Sequence, residues 1–210
     1  GKSGILAPNS PGGIVNFIGP SFRQVYYSKD KISAGTYDNG HFYGRVEGIS
    51  GGQLGDKGWG YDFSYLYRYD RGARNTPYKM NDGGQIKGSI FKSFSRGLFT
   101  FRTKWLDDQV NRYTGVAATG WTKPKPAFGQ DFSDTSLLPP GLSEPVRILD
   151  GRDPSGNSTY EYNPSNGIQS SELAFSASLD LSLGRWQMRE KMKYSRKRLD
   201  WQSAIGGQPL

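Results

Sequence analysis

Residues 60–70 read GYDFSYLYRYD: Tyr61, Phe63, Tyr65, Tyr67 and Tyr69 take alternate positions, with Asp62, Ser64, Arg68 and Asp70 between them. A period of two is that of a β-strand, whose successive side chains point to opposite faces. This segment therefore predicts a strand with one aromatic face and one polar face. Six more segments carry the same pattern. Segment 29–38 sets Ile32, Ala34 and Thr36 on one face, and 41–50 sets Phe42 and Val46 against His41, Arg45 and Glu47. Segment 84–94 opposes Ile86 and Ile90 to Gln85, Lys87 and Ser89, and 97–108 opposes Phe99, Phe101 and Trp105 to Thr100, Arg102 and Lys104. Segment 171–184 opposes Leu173, Phe175, Leu179, Leu181 and Leu183 to Glu172, Ser176, Ser178, Asp180 and Ser182. In 186–201, Trp186, Met188, Met192 and Tyr194 oppose Arg189, Lys191 and Lys193. All 12 prolines fall outside the seven segments, as expected of a residue that cannot donate to a sheet ladder.

The connections alternate in character. GGQLGDKGW joins the second and third segments, SRG the fourth and fifth, and LGR the sixth and seventh. At the other end lie the short Asn39-Gly40 link, the polar RGARNTPYKMNDG, and a stretch of roughly sixty residues holding seven of the prolines. Short turns at one end and long loops at the other describe an up-and-down barrel of the outer-membrane type. A soluble β-sandwich would turn the apolar faces inward, whereas a membrane barrel turns them to lipid and the charges to a wet lumen. Periodicity does not separate the two, but length favours the barrel. Several segments exceed 10 residues, where globular strands run about 5–6 and tilted membrane strands about 9–11.

Composition agrees. Hydrophobic residues make up only 34% and mean hydropathy is −0.68, yet aromatics reach 14%, which is not a disorder signature. No stretch approaches 18 apolar residues, which excludes a transmembrane helix and leaves a transmembrane strand open. The absence of cysteine excludes disulfides and Cys-ligated metals. A net charge of +8 is compatible with nucleic acid, anionic lipid or an acidic ligand. The fold expected is all-β, an antiparallel up-and-down transmembrane β-barrel. Bacterial single-chain barrels have even strand numbers, so seven strands are expected to be part of one.

NSPGGIVNFI at 9–18 resembles the end of the plug domain in TonB-dependent outer-membrane receptors. There a Gly-Gly-hydrophobic-hydrophobic-Asn-hydrophobic-hydrophobic run forms the last plug strand, and Gly12, Gly13, Ile14, Val15, Asn16, Phe17 and Ile18 match it in order. Residues 51–72 resemble that family's second and third barrel strands around an LGD turn, and 83–108 resemble the next hairpin. The resemblance implies a partial 22-stranded barrel: 1–20 the C-terminal end of the plug, and 21–210 the N-terminal part of the barrel with an extracellular loop at about 114–170. It implies a receptor in the outer membrane of a Gram-negative bacterium that takes up a scarce metal chelate or oligosaccharide without covalent chemistry. Its partners would be outer-membrane lipid, the rest of its barrel and plug, an inner-membrane energy-transducing complex and a small-molecule ligand. Nucleic acid, cofactor and resident metal are not among them. The signal peptide, energy-coupling box and most of the plug of that family are not in this sequence. A substrate-specific porin and a soluble carbohydrate-binding sandwich are the alternatives.

Sharper chemistry fares less well. GKSG at 1–4 has the residues of a phosphate loop, but Pro8 and Pro11 leave no room for the helix. GISGG at 48–52 matches a nucleophile elbow, but the only histidine, His41, precedes the serine. Asp107 and Asp108 are adjacent on a strand and so face opposite ways, unlike paired hydrolytic carboxylates. Asp150, Asp153 and Asn157 depart from EF-hand spacing and read as turn chemistry. The basic 191–201 segment alternates its charges with Met192 and Tyr194, which suits a barrel strand better than a nucleic-acid surface. Glu190 falls on the apolar face, so it lies either near the headgroups or in a slipped register. The candidate ligand-binding residues are the cations of the polar faces: Arg45, Arg68, Lys87, Arg102, Lys104, Arg189, Lys191 and Lys193. They outnumber Glu47, Asp62, Asp70, Glu172 and Asp180 there, which favours anionic solutes or an acidic plug surface.

Overall fold

The computed structural model describes residues 25–76, 78–111, 113, 116, 118–129, 131–133, 145–149, 151 and 153–202. The plug-like run Gly12 to Ile18 and GKSG lie outside the described residues. In chain order the strands are β1 (Tyr27–Thr36), β2 (Phe42–Leu54), β3 (Trp59–Asp70), β4 (Asn81–Phe94) and β5 (Gly97–Val110). Two short ribbons follow, β6 (Ala118–Thr119) with β7 (Lys125–Pro126) and β8 (Val146–Leu149) with β9 (Thr159–Tyr162). A 3-10 turn at Pro164–Asn166 leads into β10 (Ile168–Leu183) and β11 (Trp186–Trp201).

The fold is all-β. The seven long strands form one antiparallel sheet in the order β1-β2-β3-β4-β5-β10-β11, so each pairs with its neighbours in sequence as an up-and-down meander. Register runs without a bulge through every pairing. One row, for example, links Ser50, Phe63, Gly88, Thr103, Phe175 and Tyr194. The alternation read from the sequence therefore becomes two continuous sheet faces. β1 and β11 are each paired on one side only among the described residues.

Tight turns at 55–58, 95–96 and 184–185 occupy one end, and the connections 37–41, 71–80 and 111–167 the other. Gly184 opens the two-residue β10–β11 hairpin at φ 64°, the left-handed conformation that such a turn requires of its first central residue. One connection differs from expectation. GGQLGDKGW reads as a nine-residue turn, yet β2 runs on through Gly51 and Gly52 to Leu54. Gly51 seats an aromatic ring: a Cβ there would meet the Tyr27 hydroxyl at 2.6 Å. Glycine there receives a ring from the neighbouring strand instead of ending its own.

Side-chain burial is small and lies at the loop end and on one sheet face. The buried hydrophobic residues are Tyr78, Met80, Phe91 and Ala174. Tyr78 and Met80 sit at the loop end, where Met80 N donates to Asp70 O at 2.8 Å and Asn111 N to Met80 O at 2.7 Å. Phe91, Thr100, Asp62, Glu172 and Ala174 are buried on the polar sheet face. On the other face eighteen large apolar side chains are exposed, from Ile32 on β1 to Tyr194 on β11. A seven-stranded sheet thus leaves its hydrophobic side uncovered by any described residue.

Candidate functional site

All eight candidate cations lie on the polar face. Arg45 and Arg68 are direct partners across β2 and β3, and Lys87 and Lys104 across β4 and β5. Arg102 pairs with Ser89 and with Ser176, while Lys193 and Lys191 on β11 oppose Ser176 and Ser178. Arg189 opposes Asp180. Like charges directly opposite each other destabilise a sheet by a few tenths of a kcal/mol to about 1 kcal/mol. Arg45/Arg68 and Lys87/Lys104 therefore need anions close by.

Four of the eight have them. Arg45 is ion-paired with Glu47, and Arg189 with Asp180. Arg68 reaches Asp108 at 2.8 Å, and Lys104 reaches Glu172 at 2.6 Å. Lys197 shares Glu172 from the other side at 3.4 Å. Lys87, Arg102, Lys191 and Lys193 make no ion pair among the described residues. Arg102 instead lays its guanidinium 5.9 Å from the centroid of the buried Phe91 ring. Asp62, buried and on the same face, accepts from the Tyr27 hydroxyl at 2.5 Å. Asp108 keeps one buried oxygen without a hydrogen-bond partner among the described residues.

Hollows open on both sides of the sheet. On the polar face, one of about 510 Å³ is lined by Lys29, Lys31, Arg45 and Glu47. A second, about 400 Å³, is lined by Lys87, Arg102, Lys104, Lys193 and Lys197, with Glu172 and Asp62. Its base is short because Ser64, Ser89, Ala174 and Ser176 occupy the intervening positions. A third, about 680 Å³, opens on the apolar face over Gly84, between Tyr67 and Trp105. It carries Asp82 and Asp107 near the loop end, and Tyr67 donates to Asp82 at 2.7 Å.

Sequence periodicity placed the eight cations on one side but missed three components. Lys197 shares the parity of Lys193, and Asp108 that of Lys104, so both faces were legible. Their ion pairing depends on cross-strand register. The serine base needed that register outright, since Ser89 and Ser176 meet Arg102 only through β4 and β10.

The weaker motifs separate. Ser50 of GISGG is a strand residue 2.9 Å from the Tyr61 hydroxyl, while His41 lies at the loop end against the Gly72 carbonyl at 3.0 Å. Asp107 and Asp108 point to opposite faces. Asp153 accepts from Ser155 and Ser158, bonds that hold its carboxyl well below the usual carboxylate range. Asp150 lies outside the described residues. Glu190 opposes Leu179 with no slip in register, so the carboxylate does stand on the apolar face.

No protein-family model, curated protein or solved structure matches the chain.

Proposed function

We propose that this chain forms a sector of an outer-membrane transport barrel, its apolar face in lipid and its basic face lining the lumen. The observation that carries the reading is the shape of the uncovered apolar band. On β3 that face is apolar from Trp59 to Tyr69, while on β11 it is apolar, save for Glu190, only from Trp186 to Tyr194, with Arg196, Arg198 and Asp200 beyond. Followed along the registers, Tyr194 shares a row with Phe63, three same-face positions short of Tyr69. Six residues amount to about 20 Å of strand, and the four strand-to-strand steps between β3 and β11 to about 19 Å. Between β3 and β11 the upper edge of the band runs level from Ile86 through Trp105 to Leu173 and steps on either side. Its mean slope across the rows is thus about 45°, near the 35–45° tilt of strands in outer-membrane barrels. Projected through that tilt, the runs on β3 and β11 span about 24 and 19 Å, close to the ~25 Å apolar belt of such barrels. Trp59, Phe94 and Trp186 mark its turn end, where an aromatic girdle belongs.

The outer edges of β1 and β11, unpaired among the described residues, call for further strands to close the sheet. Within that barrel class we favour the plugged, energy-coupled receptor of 22 strands that imports a scarce nutrient. Support comes from residues 9–18 and from the order of the hairpins after them. Plug, inner-membrane energy transducer and ligand are partners of that reading.

Spin labels at Phe63 and Phe101 test the lipid assignment, with labels at Ser64 and Thr100 as their polar-face counterparts. In reconstituted bilayers the first pair should be relaxed by oxygen and the second by an aqueous nickel complex. Water exposure at Phe63 and Phe101, or a full gene product soluble without detergent, overturns the membrane assignment. A gene with no plug before the barrel turns the reading to a porin.

A further inference from the structure

We propose that the depression around Lys87, Arg102 and Lys193 is a binding site for a small, multiply charged oxyanion, one bearing phosphate, sulfate or carboxylate groups. The proposal names a ligand class for the receptor described above. It rests on that reading only for the statement that the depression faces the lumen.

The three cations converge from different strands, β4, β5 and β11, and none is spent on an ion pair among the described residues. The two carboxylates nearby are committed. Glu172 is shared by Lys104 and Lys197, and Asp62 accepts from Tyr27. Five cations thus surround the hollow against two carboxylates, leaving an excess of three positive charges. Lys87 stands directly opposite Lys104, whose charge Glu172 offsets, and is itself left without a carboxylate among the described residues. Elsewhere on this face Arg45, Arg68 and Arg189 are each closed by a carboxylate, whereas Lys29 and Lys191 make no ion pair among the described residues.

Shape fits the charge. Ser64, Ser89 and Ser176 give a short base whose hydroxyls can donate, beneath long cationic walls. A guanidinium offers a planar fork that matches two oxygens of one phosphate or carboxylate, and lysines add point charges around it. A volume of about 400 Å³ admits a small solute, within the roughly 300–1,000 Å³ of ligand pockets.

The test is calorimetric titration of the full gene product in detergent micelles, with inorganic pyrophosphate and citrate as probes. Saturable binding that weakens with salt is expected for at least one probe. Lys87→Gln and Arg102→Gln should each weaken it about tenfold, the scale of one charge-assisted hydrogen bond. Lys123→Gln, an equal loss of charge in the long connection, should leave it unchanged. Circular dichroism checks that each variant folds, and Lys193→Gln on the outer strand carries the test if Lys87→Gln does not. The proposal fails if neither probe saturates at millimolar concentration, or if Lys123→Gln costs as much as the others. It fails also if only an octa-glutamate peptide binds through Lys87 and Arg102, which would make the depression a seat for an acidic protein segment. None of these outcomes depends on where spin labels place the apolar face.

Discussion

Single side chains on this sheet take their character from the partner that register puts beside them. Lys104 and Lys87 are identical in type and directly opposed, yet only Lys104 reaches a carboxylate, because Glu172 lies on the next strand over. Tyr37 shows the same dependence at the loop end. Desolvation pushes its hydroxyl up to about 12, helped by the hydrogen bond that it donates to Asp70 at 3.1 Å. An unfolded tyrosine titrates near 10. Between those values the folded state holds a proton that the unfolded state has lost. The stabilisation is therefore complete below pH ~10 and disappears as pH rises through about 12. Ultraviolet titration of phenolate should show a tyrosine ionising near pH 12, and Tyr37→Phe should remove that step. If the late step survives the substitution, another tyrosine carries it.

At the scale of elements, β11 is the strand that most needs a neighbour. It is exposed along nearly all of its 16 residues and, among the described residues, pairs only with β10, through the Gly184 hairpin and ion pairs from Arg189 and Lys197. Glu190 stands near the middle of its apolar run, between Met188 and Met192. In lipid a carboxylate there costs less than the roughly 2–4 kcal/mol of a midplane Arg or Lys, but still costs. In the proposed barrel, Glu190→Leu should raise the urea midpoint by a stability increment of about 1 kcal/mol. A fall instead would mean that the strand covering this edge supplies Glu190 with a partner, and no change would suit a face in water. The strands themselves were legible because alternation and proline exclusion are properties of single segments. β2 was cut short because glycine is a breaker in isolation, and only Tyr27, on another strand, shows why Gly51 is part of the sheet. The ribbons β6–β7 and β8–β9, of two and four residues per strand, are too short for any periodicity to register. The candidate site divides the same way: parity revealed which face each cation takes, and register revealed which cations are already paired.

For the whole molecule, the decisive quantity is the angle between the sheet rows and the apolar band. Ile86, Trp105, Leu173 and Arg196 share one row and one face across β4, β5, β10 and β11. Were the membrane plane parallel to the rows, Arg196 would sit at the depth of Ile86, among lipid tails. In the proposed orientation, a tilt of about 45° would carry β11 about 10 Å toward the loop end over those three strand steps and put Arg196 at the headgroups. The two positions should then respond unequally to charge. Ile86→Arg introduces a guanidinium at depth and should cost about 2–4 kcal/mol in reversible unfolding from bilayers. Removing the native guanidinium by Arg196→Leu should change stability by less than about 1 kcal/mol, as expected near an interface. Equal and opposite effects at the two sites would mean that the row lies level in the membrane. The oblique band, and with it the barrel tilt, would then be lost as the ground for placing this sheet in lipid.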